Sequence, residues 1–268
     1  MKEKLISQYF LQYDNYQSLV TGKNTKSAFA FHSETIVPED LLKEKRLFII
    51  GEPGYGKTTL VRTLKDLISR RGRKFQAFAG AASEAIFLEE DTEYVIYDAL
   101  DEAKDVIPTF TAITEACKKR NVKLIITNRP HYLADIQHLL PALNFRFVKL
   151  LAFDDGQIGN YMHHHLEKAS FDPNIIDGII RNSKANSYNS ILGTPRYLAE
   201  FIQYIKRENL RPDQVISLKK TDLFDKIVYY KLDADNQKSD INARYLTRRV
   251  LERLALVMEI HGLNQINK

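Results

Sequence analysis

One stretch of the chain decides its fold: Gly51-Glu52-Pro53-Gly54-Tyr55-Gly56-Lys57-Thr58-Thr59. It matches the pattern G-x-x-x-x-G-K-[ST] at every position. Glycines let the backbone curl into a concave nest whose N–H groups bind phosphate oxygens, and a following helix adds free N–H groups and a positive dipole end. Lys57 can reach the β- and γ-phosphates, and the Thr58 hydroxyl can ligate Mg²⁺. Residues 51–59 are therefore predicted to bind a nucleotide with Mg²⁺.

The flanking sequence supports this interpretation over a chance match in a glycine-containing loop. The apolar run at 46–50 predicts a buried strand directly before the loop. Residues 58–71 predict a helix, because apolar side chains recur on one face: Leu60, Val61, Leu64, Leu67 and Ile68. A strand, a glycine-rich turn and an amphipathic helix are the context in which this motif binds phosphate.

The rest of the first half alternates between strand and helix signals. Further strands are predicted at 74–79, 94–97, 122–127 and 145–150, and a helix is predicted at about 107–119. Alternation of this kind predicts a mostly parallel sheet covered by helices on both faces. The fold class expected is α/β, with a P-loop NTPase core.

Beyond residue 151 the sequence predicts helices, at 154–168, 173–181, 195–208, 221–232 and 243–260, with polar loops at 182–189 and 233–240. Four regions are therefore expected. They are a lead-in segment with one or two helices at 1–45, the NTPase core at 46–152, a helical lid at 153–240 and a last helical segment at 241–268.

Composition narrows the class of protein. The 268 residues are 44% hydrophobic and 27% charged, which is typical of a globular chain. A single cysteine excludes an intramolecular disulfide framework and favours a reducing, cytoplasmic setting. The sequence shows no secretory signal and no apolar stretch of 18 residues, so membrane binding is not expected. The net charge of +5 permits contact with nucleic acid without arguing for it.

An acidic cluster follows the strand predicted at 94–97. Asp98 ends that strand and is placed to hold Mg²⁺ through water, as in a Walker B motif, while Asp101 and Glu102 could orient or deprotonate an attacking water. A solvated acidic turn is the alternative, and the buried strand before Asp98 makes it less favourable.

A second polar cluster follows the strand predicted at 122–127. Thr127 and Asn128 could contact the γ-phosphate or the attacking water, and Arg129 could sense its charge. Because parallel strands end at one edge of a sheet, this cluster is expected beside the phosphate loop and the acidic cluster.

Taken with Gly193-Thr194-Pro195-Arg196, these motifs resemble the STAND class of P-loop NTPases, and most closely its NACHT family. The resemblance covers about residues 46–260, and it implies that the helix over 244–260 begins a winged-helix region at 241–268. It is carried by Asp98-Ala99-Leu100-Asp101-Glu102 and by Thr127-Asn128-Arg129-Pro130, where Asn replaces the family's usual Ser. The lid motif also looks like that of the archaeal-type ATPases in the sister branch, whose Walker B usually lacks the second acidic pair.

The resemblance implies an ATP/ADP switch that hydrolyses slowly. It further implies that Pro195 contacts the adenine ring and that the ATP-bound form assembles into a homo-oligomer. It also implies that effector or sensor partners take part and that the setting in bacteria is antiviral defence. A nucleic-acid-dependent AAA+-type ATPase or motor is the alternative. The basic run Arg70-Arg71-Gly72-Arg73-Lys74 fits it, although a helix C-terminus also favours such residues.

Overall fold

The computed structural model describes residues 10–13, 16–21, 38–80, 86–167, 171–185 and 189–216. The chain divides into two compact units, one formed by Met1–His164 with Ser190–Leu198 and the other by His165–Asn189 with Ala199–Lys268. The first unit thus includes Ser190–Leu198, a segment that the sequence assigns to the helical lid.

A six-stranded sheet forms the centre of the first unit. Its strands are β1 Phe10–Tyr13, β2 Arg46–Ile50, β3 Phe75–Ala79, β4 Tyr94–Asp98, β5 Lys123–Asn128 and β6 Arg146–Leu150. Their order across the sheet is β1-β6-β2-β5-β4-β3, with β2 to β6 parallel and β1 antiparallel to β6. The five parallel strands and the phosphate loop after β2 confirm the predicted P-loop NTPase fold class.

The register of the strands brings three of their ends together. Ile50 of β2 pairs with Asn128 of β5, and Tyr97 of β4 pairs with Ile126 of the same strand. Strand β5 therefore lies between the strand before the phosphate loop and the strand before the acidic cluster. The polar residues after all three strands are delivered to one edge of the sheet.

Ten helices are found among the described residues: α1 Tyr16–Thr21, α2 Pro38–Leu41, α3 Lys57–Arg70, α4 Val106–Arg120, α5 Leu133–Ile136, α6 Asp155–Leu166, α7 Pro173–Ala185, α8 Asn189–Leu192, α9 Pro195–Arg207 and α10 Pro212–Ile216. Short 3-10 turns lie at Leu100–Glu102, Pro130–Tyr132 and Leu140–Leu143. Within these ranges, none of the helices has the length and apolar character to cross a bilayer.

The sheet is covered on both faces, because alternate residues of each strand point to opposite sides. On one face, Phe48 and Ile50 of β2 belong to a core that includes Phe110, Ile113 and Cys117 of α4. On the other face, Leu47 and Ile49 belong to a core with three residues of α3: Val61, Leu64 and Ile68. Helix α3, which begins at the phosphate loop, is thus fixed to the sheet by its apolar stripe.

In the second unit, α7 contacts α10. Ile176 and Ile179 of α7 and Val215 of α10 are buried. Asp172 caps α7, since its Oδ1 accepts a hydrogen bond from Asn174 N at 2.8 Å. A capped first turn and a buried apolar stripe explain why this helix forms.

Three sequence predictions need correction or fall outside the description. The lead-in segment contributes β1, which was missed because four residues give little periodicity and their partner, β6, lies far along the chain. Helix α7 continues to Ala185, into the predicted polar loop at 182–189, since no Gly or Pro interrupts it there. The helices predicted at 221–232 and 243–260, and with them the winged-helix region, lie outside the described residues.

Truncation of Phe48 should destabilise the first unit strongly. Its fully buried ring contacts those of Phe110, Phe145 and Phe147, with centroids 6.4, 5.4 and 5.4 Å away. We expect Phe48→Ala to lower the free energy of unfolding by about 3–5 kcal/mol in urea titrations. Phe87→Ala is the control, because that ring is 74% exposed and its loss should change stability by no more than about 0.5 kcal/mol. Equal effects of the two substitutions would contradict the assignment of Phe48 to the core.

Candidate nucleotide-binding site

The phosphate loop connects β2 to α3, and its backbone takes the conformation that the motif predicts. Gly54 has a φ of 83°, in the left-handed region that favours glycine. Gly56 precedes the first residue of α3, and its carbonyl accepts a hydrogen bond from Leu60 N at 2.9 Å. The first N–H groups of α3 have no partner within the helix, so Lys57, Thr58 and Thr59 present backbone donors at the loop. This arrangement suits an anion.

The side chain of Lys57 folds back over the loop. Its Nζ donates hydrogen bonds to the carbonyl oxygens of Gly51 at 2.6 Å and Glu52 at 3.2 Å. Burial lowers the pKa of Lys57 below its ordinary value, and the nearby Asp101 carboxylate opposes this effect. A phosphate would offer the ammonium a charged acceptor in place of two neutral carbonyls, which strengthens a hydrogen bond.

The acidic cluster begins with a tight turn after β4. Ala99 takes a left-handed conformation, with φ 60° and ψ 61°, and Leu100–Glu102 forms a 3-10 turn. Gly80 packs directly against this turn, because its N–H donates to Asp98 O at 2.9 Å and a Cβ on it would lie 1.8 Å from Ala99 O. A larger residue at position 80 would displace the turn. The sequence alone did not identify Gly80, which follows the short edge strand β3.

Thr127, at the end of β5, fixes the position of Asp98. Its buried hydroxyl donates to Asp98 Oδ1 at 2.6 Å and accepts from Ala99 N at 2.7 Å. The one hydroxyl proton is thus engaged by Asp98. Thr127 therefore acts on the acidic cluster, a role that the sequence analysis did not propose.

Arg129 joins β5 to the second acidic pair. Its Nε lies 2.9 Å from Asp101 Oδ2, and its Nη2 lies 3.3 Å from Glu102 Oε1. Its backbone N donates to Asn128 Oδ1 at 2.9 Å. The structure thus brings together Asp98, Asp101, Glu102 and Arg129, the residues predicted after two separate strands.

The segment around Pro195 contacts the phosphate loop. Arg196 N donates to Gly54 O at 3.2 Å. A Cβ on Gly54 would lie 2.9 Å from Thr194 Cγ2 and 3.2 Å from Arg196 Cβ. Pro195, which begins α9, is therefore flanked on both sides by residues that contact the loop. Thr194 and Arg196 were not predicted as loop contacts, and glycine at position 54 is the one sequence signal consistent with such a close approach.

The residues present fit a nucleotide with Mg²⁺. Three buried polar atoms at the ends of β4 and β5 have no hydrogen-bond partner among the described residues: Tyr97 OH, Asp101 Oδ1 and Asn128 Nδ2. Among all the residues that the structure describes, no group of three or more His, Cys, Asp or Glu side chains could hold a metal by itself. Thr58 would bind Mg²⁺ through its hydroxyl, and Asp98 would hold it through water.

Cys117 is a poor candidate for reaction chemistry. It lies on the buried face of α4, and burial raises the pKa of its thiol to about 12. The thiol therefore stays protonated and unreactive at neutral pH.

Comparisons with known proteins show similarity at the level of structure alone. No protein-family model matches the sequence, and no curated protein matches it. The RuvB Holliday junction branch migration motor of Thermotoga maritima is 13% identical, with a TM-score of 0.44 over 76% of this chain and 74% of RuvB. Domain III of the replication initiation protein DnaA from the same organism is 15% identical, with a TM-score of 0.48 over 69% of this chain and 89% of that domain.

Removal of the Thr127 hydroxyl should destabilise the site without any ligand present. Thr127→Val keeps the shape of the side chain but leaves Ala99 N and Asp98 Oδ1 without their partner. We expect a loss of about 1–3 kcal/mol in the free energy of unfolding, measured by urea titration. Thr127→Ser retains the hydroxyl and should recover most of this loss. If the valine and serine variants are equally stable, the hydroxyl does not hold the acidic turn in place.

Proposed function

We propose that this chain is a cytoplasmic ATP-binding regulatory switch that hydrolyses ATP slowly, of the STAND class and most similar to its NACHT family. The observation that carries the proposal is the hydrogen bond from Arg196 N to Gly54 O. It joins the Gly-x-Pro segment to the phosphate loop, so one nucleotide could contact both elements. A plain phosphate-binding loop would not require that contact.

Binding would use groups of two kinds. The triphosphate would contact the backbone of residues 51–59 and the ammonium of Lys57, while Thr58 and Asp98 would hold Mg²⁺. The Pro195 ring would lie against the adenine, because proline offers an apolar surface and no N–H that needs a partner. Bound Mg²⁺ neutralises charge on the phosphates, which favours their hydrolysis.

Hydrolysis would depend on the second acidic pair. Asp101 and Glu102 are the candidates to take a proton from the attacking water, and Arg129 would stabilise charge on the terminal phosphate. In the structure Arg129 is paired with both carboxylates. The acid that accepts the proton must first give up its contact with Arg129, which supports slow turnover.

The switch itself would follow from differential binding. ATP and ADP differ at the terminal phosphate, so they would stabilise different arrangements of the phosphate loop and the Pro195 segment. The resemblance to NACHT proteins extends the proposal to a homo-oligomer in the ATP-bound form and to effector or sensor partners in bacterial defence signalling.

A comparison of turnover with and without DNA or RNA separates the switch from a nucleic-acid-dependent AAA+-type motor. The basic run at 70–74 is partly neutralised, since Arg73 pairs with Glu93 and Lys74 pairs with Asp91. A switch should hydrolyse ATP slowly and at the same rate in both conditions. Strong stimulation by nucleic acid would overturn the switch and favour the motor.

Lys57→Ala should abolish nucleotide binding, because the phosphates lose the cation that the motif places among them. Calorimetry with ADP and with ATP–Mg²⁺ measures the effect. Lys65→Ala is the matched control, since it removes a lysine from the same helix, two turns further on. Unchanged affinity in Lys57→Ala would show that nucleotide does not bind at this loop.

Pro195→Gly should reduce the stabilisation that ADP confers. A ligand at 100 times its Kd stabilises the folded chain by about 2.7 kcal/mol, so ADP should raise the Tm of the parent protein by several degrees. Loss of the proline should shrink this increment while phosphate recognition persists. Pro173→Gly makes the same change at the first position of α7 and should leave the increment intact. If ADP raises the Tm of Pro195→Gly and Pro173→Gly equally, Pro195 does not contribute to nucleotide binding.

A further inference from the structure

The two acids of the second pair lie in different environments, although they are adjacent in sequence. The side chain of Asp101 is 2% exposed, whereas that of Glu102 is 52% exposed. The 3-10 turn at Leu100–Glu102 explains the difference, because it turns consecutive side chains in different directions about a buried Leu100. Two carboxylates with such different solvation are suited to different tasks.

Arg129 contacts the two acids through different nitrogens and at different distances. The contact with buried Asp101 is 2.9 Å, within hydrogen-bond range for a charged pair, and the contact with Glu102 is a longer 3.3 Å. An exposed pair contributes little, whereas a buried charge that loses its partner is strongly destabilising. Arg129 is therefore anchored by Asp101 and held more weakly by Glu102.

We propose that Asp101 is a positioning residue that holds the Arg129 guanidinium in contact with Glu102, and that Glu102 alone is the general base. This inference rests on the proposed ATPase function. Asp101 is buried and paired with Arg129, so protonation of its carboxylate would remove the negative charge that holds the guanidinium. Glu102 reaches solvent and can accept a proton from water.

The same contacts make release of the base depend on the substrate. The terminal phosphate of ATP is a strong anion, and it would compete with Glu102, the weaker and more exposed partner of Arg129. Once released, Glu102 takes a proton from water as the water oxygen bonds to the γ-phosphorus. The bond from phosphorus to the β–γ bridging oxygen breaks, and its electron pair leaves with ADP. Asp101 keeps its charge and its hold on Arg129 throughout.

Thermal unfolding without nucleotide tests the anchoring directly. Arg129→Gln leaves the Asp101 carboxylate buried without its cation, and it should lower Tm by at least about 5 °C. Asp101→Asn in the Arg129→Gln background removes that uncompensated charge and should restore most of the lost Tm. Glu102→Gln in the same background is the matched control, which should restore none of it because Glu102 is solvated. Equal rescue by both substitutions, or by neither, would overturn the anchoring role of Asp101.

Single-turnover hydrolysis tests the division of tasks. Glu102→Gln should slow the chemical step by about 100-fold or more and abolish the loss of rate at acid pH, because that loss reports protonation of the base. Asp101→Asn should slow the chemical step less and should leave the loss of rate at acid pH in place. Asp101→Glu should recover part of the rate. If Asp101→Asn instead abolishes the loss of rate at acid pH, Asp101 is the base and the proposal fails. If the parent protein binds ATP without hydrolysing it, both the assignment of a general base and the proposed ATPase activity are wrong. The thermal unfolding series would still decide whether Asp101 anchors Arg129.

Discussion

The site depends on the insertion of β5 between β2 and β4. Because the three strands are parallel and in register, the residues after each of them meet at one edge. Gly51 N donates to Asn128 O at 3.4 Å on one side of β5, and the Thr127 hydroxyl bridges Asp98 and Ala99 on the other. One strand therefore ties the phosphate loop to the acidic turn, and the two cores that cover the sheet keep all three strands in place.

The acidic residues of the site differ in their burial and in their hydrogen-bond partners. Asp98 is held by a neutral hydroxyl, which leaves its charge available to a cation. Asp101 is buried against Arg129, while Glu102 remains in contact with water. Residues of similar chemistry thus lie in different environments, and burial and hydrogen bonding determine which of them can give up or accept a charge more readily.

The contact between the phosphate loop and the Pro195 segment rests on the absence of a side chain at Gly54. The carbonyl of that glycine accepts a hydrogen bond from Arg196 N, and the space where a Cβ would lie is filled by Thr194 and Arg196. A glycine that the motif allows for its backbone conformation is therefore also used for close packing. The contact links two parts of the sequence that are about 140 residues apart, and in the proposed switch it would couple the nucleotide to the start of α9.

The sequence by itself determined the phosphate loop, the five parallel strands and α3, because each follows from residues that are close together along the chain. Apolar runs specify buried strands, an apolar stripe specifies α3, and glycines specify the tight loop at 51–56. Tertiary structure decided the rest. The pairing of β1 with β6, the bridge from Thr127 to Asp98 and the different burial of Asp101 and Glu102 depend on neighbours brought together by the sheet. No local pattern encodes such neighbours, since burial and hydrogen-bond partners are set by the packing of distant segments.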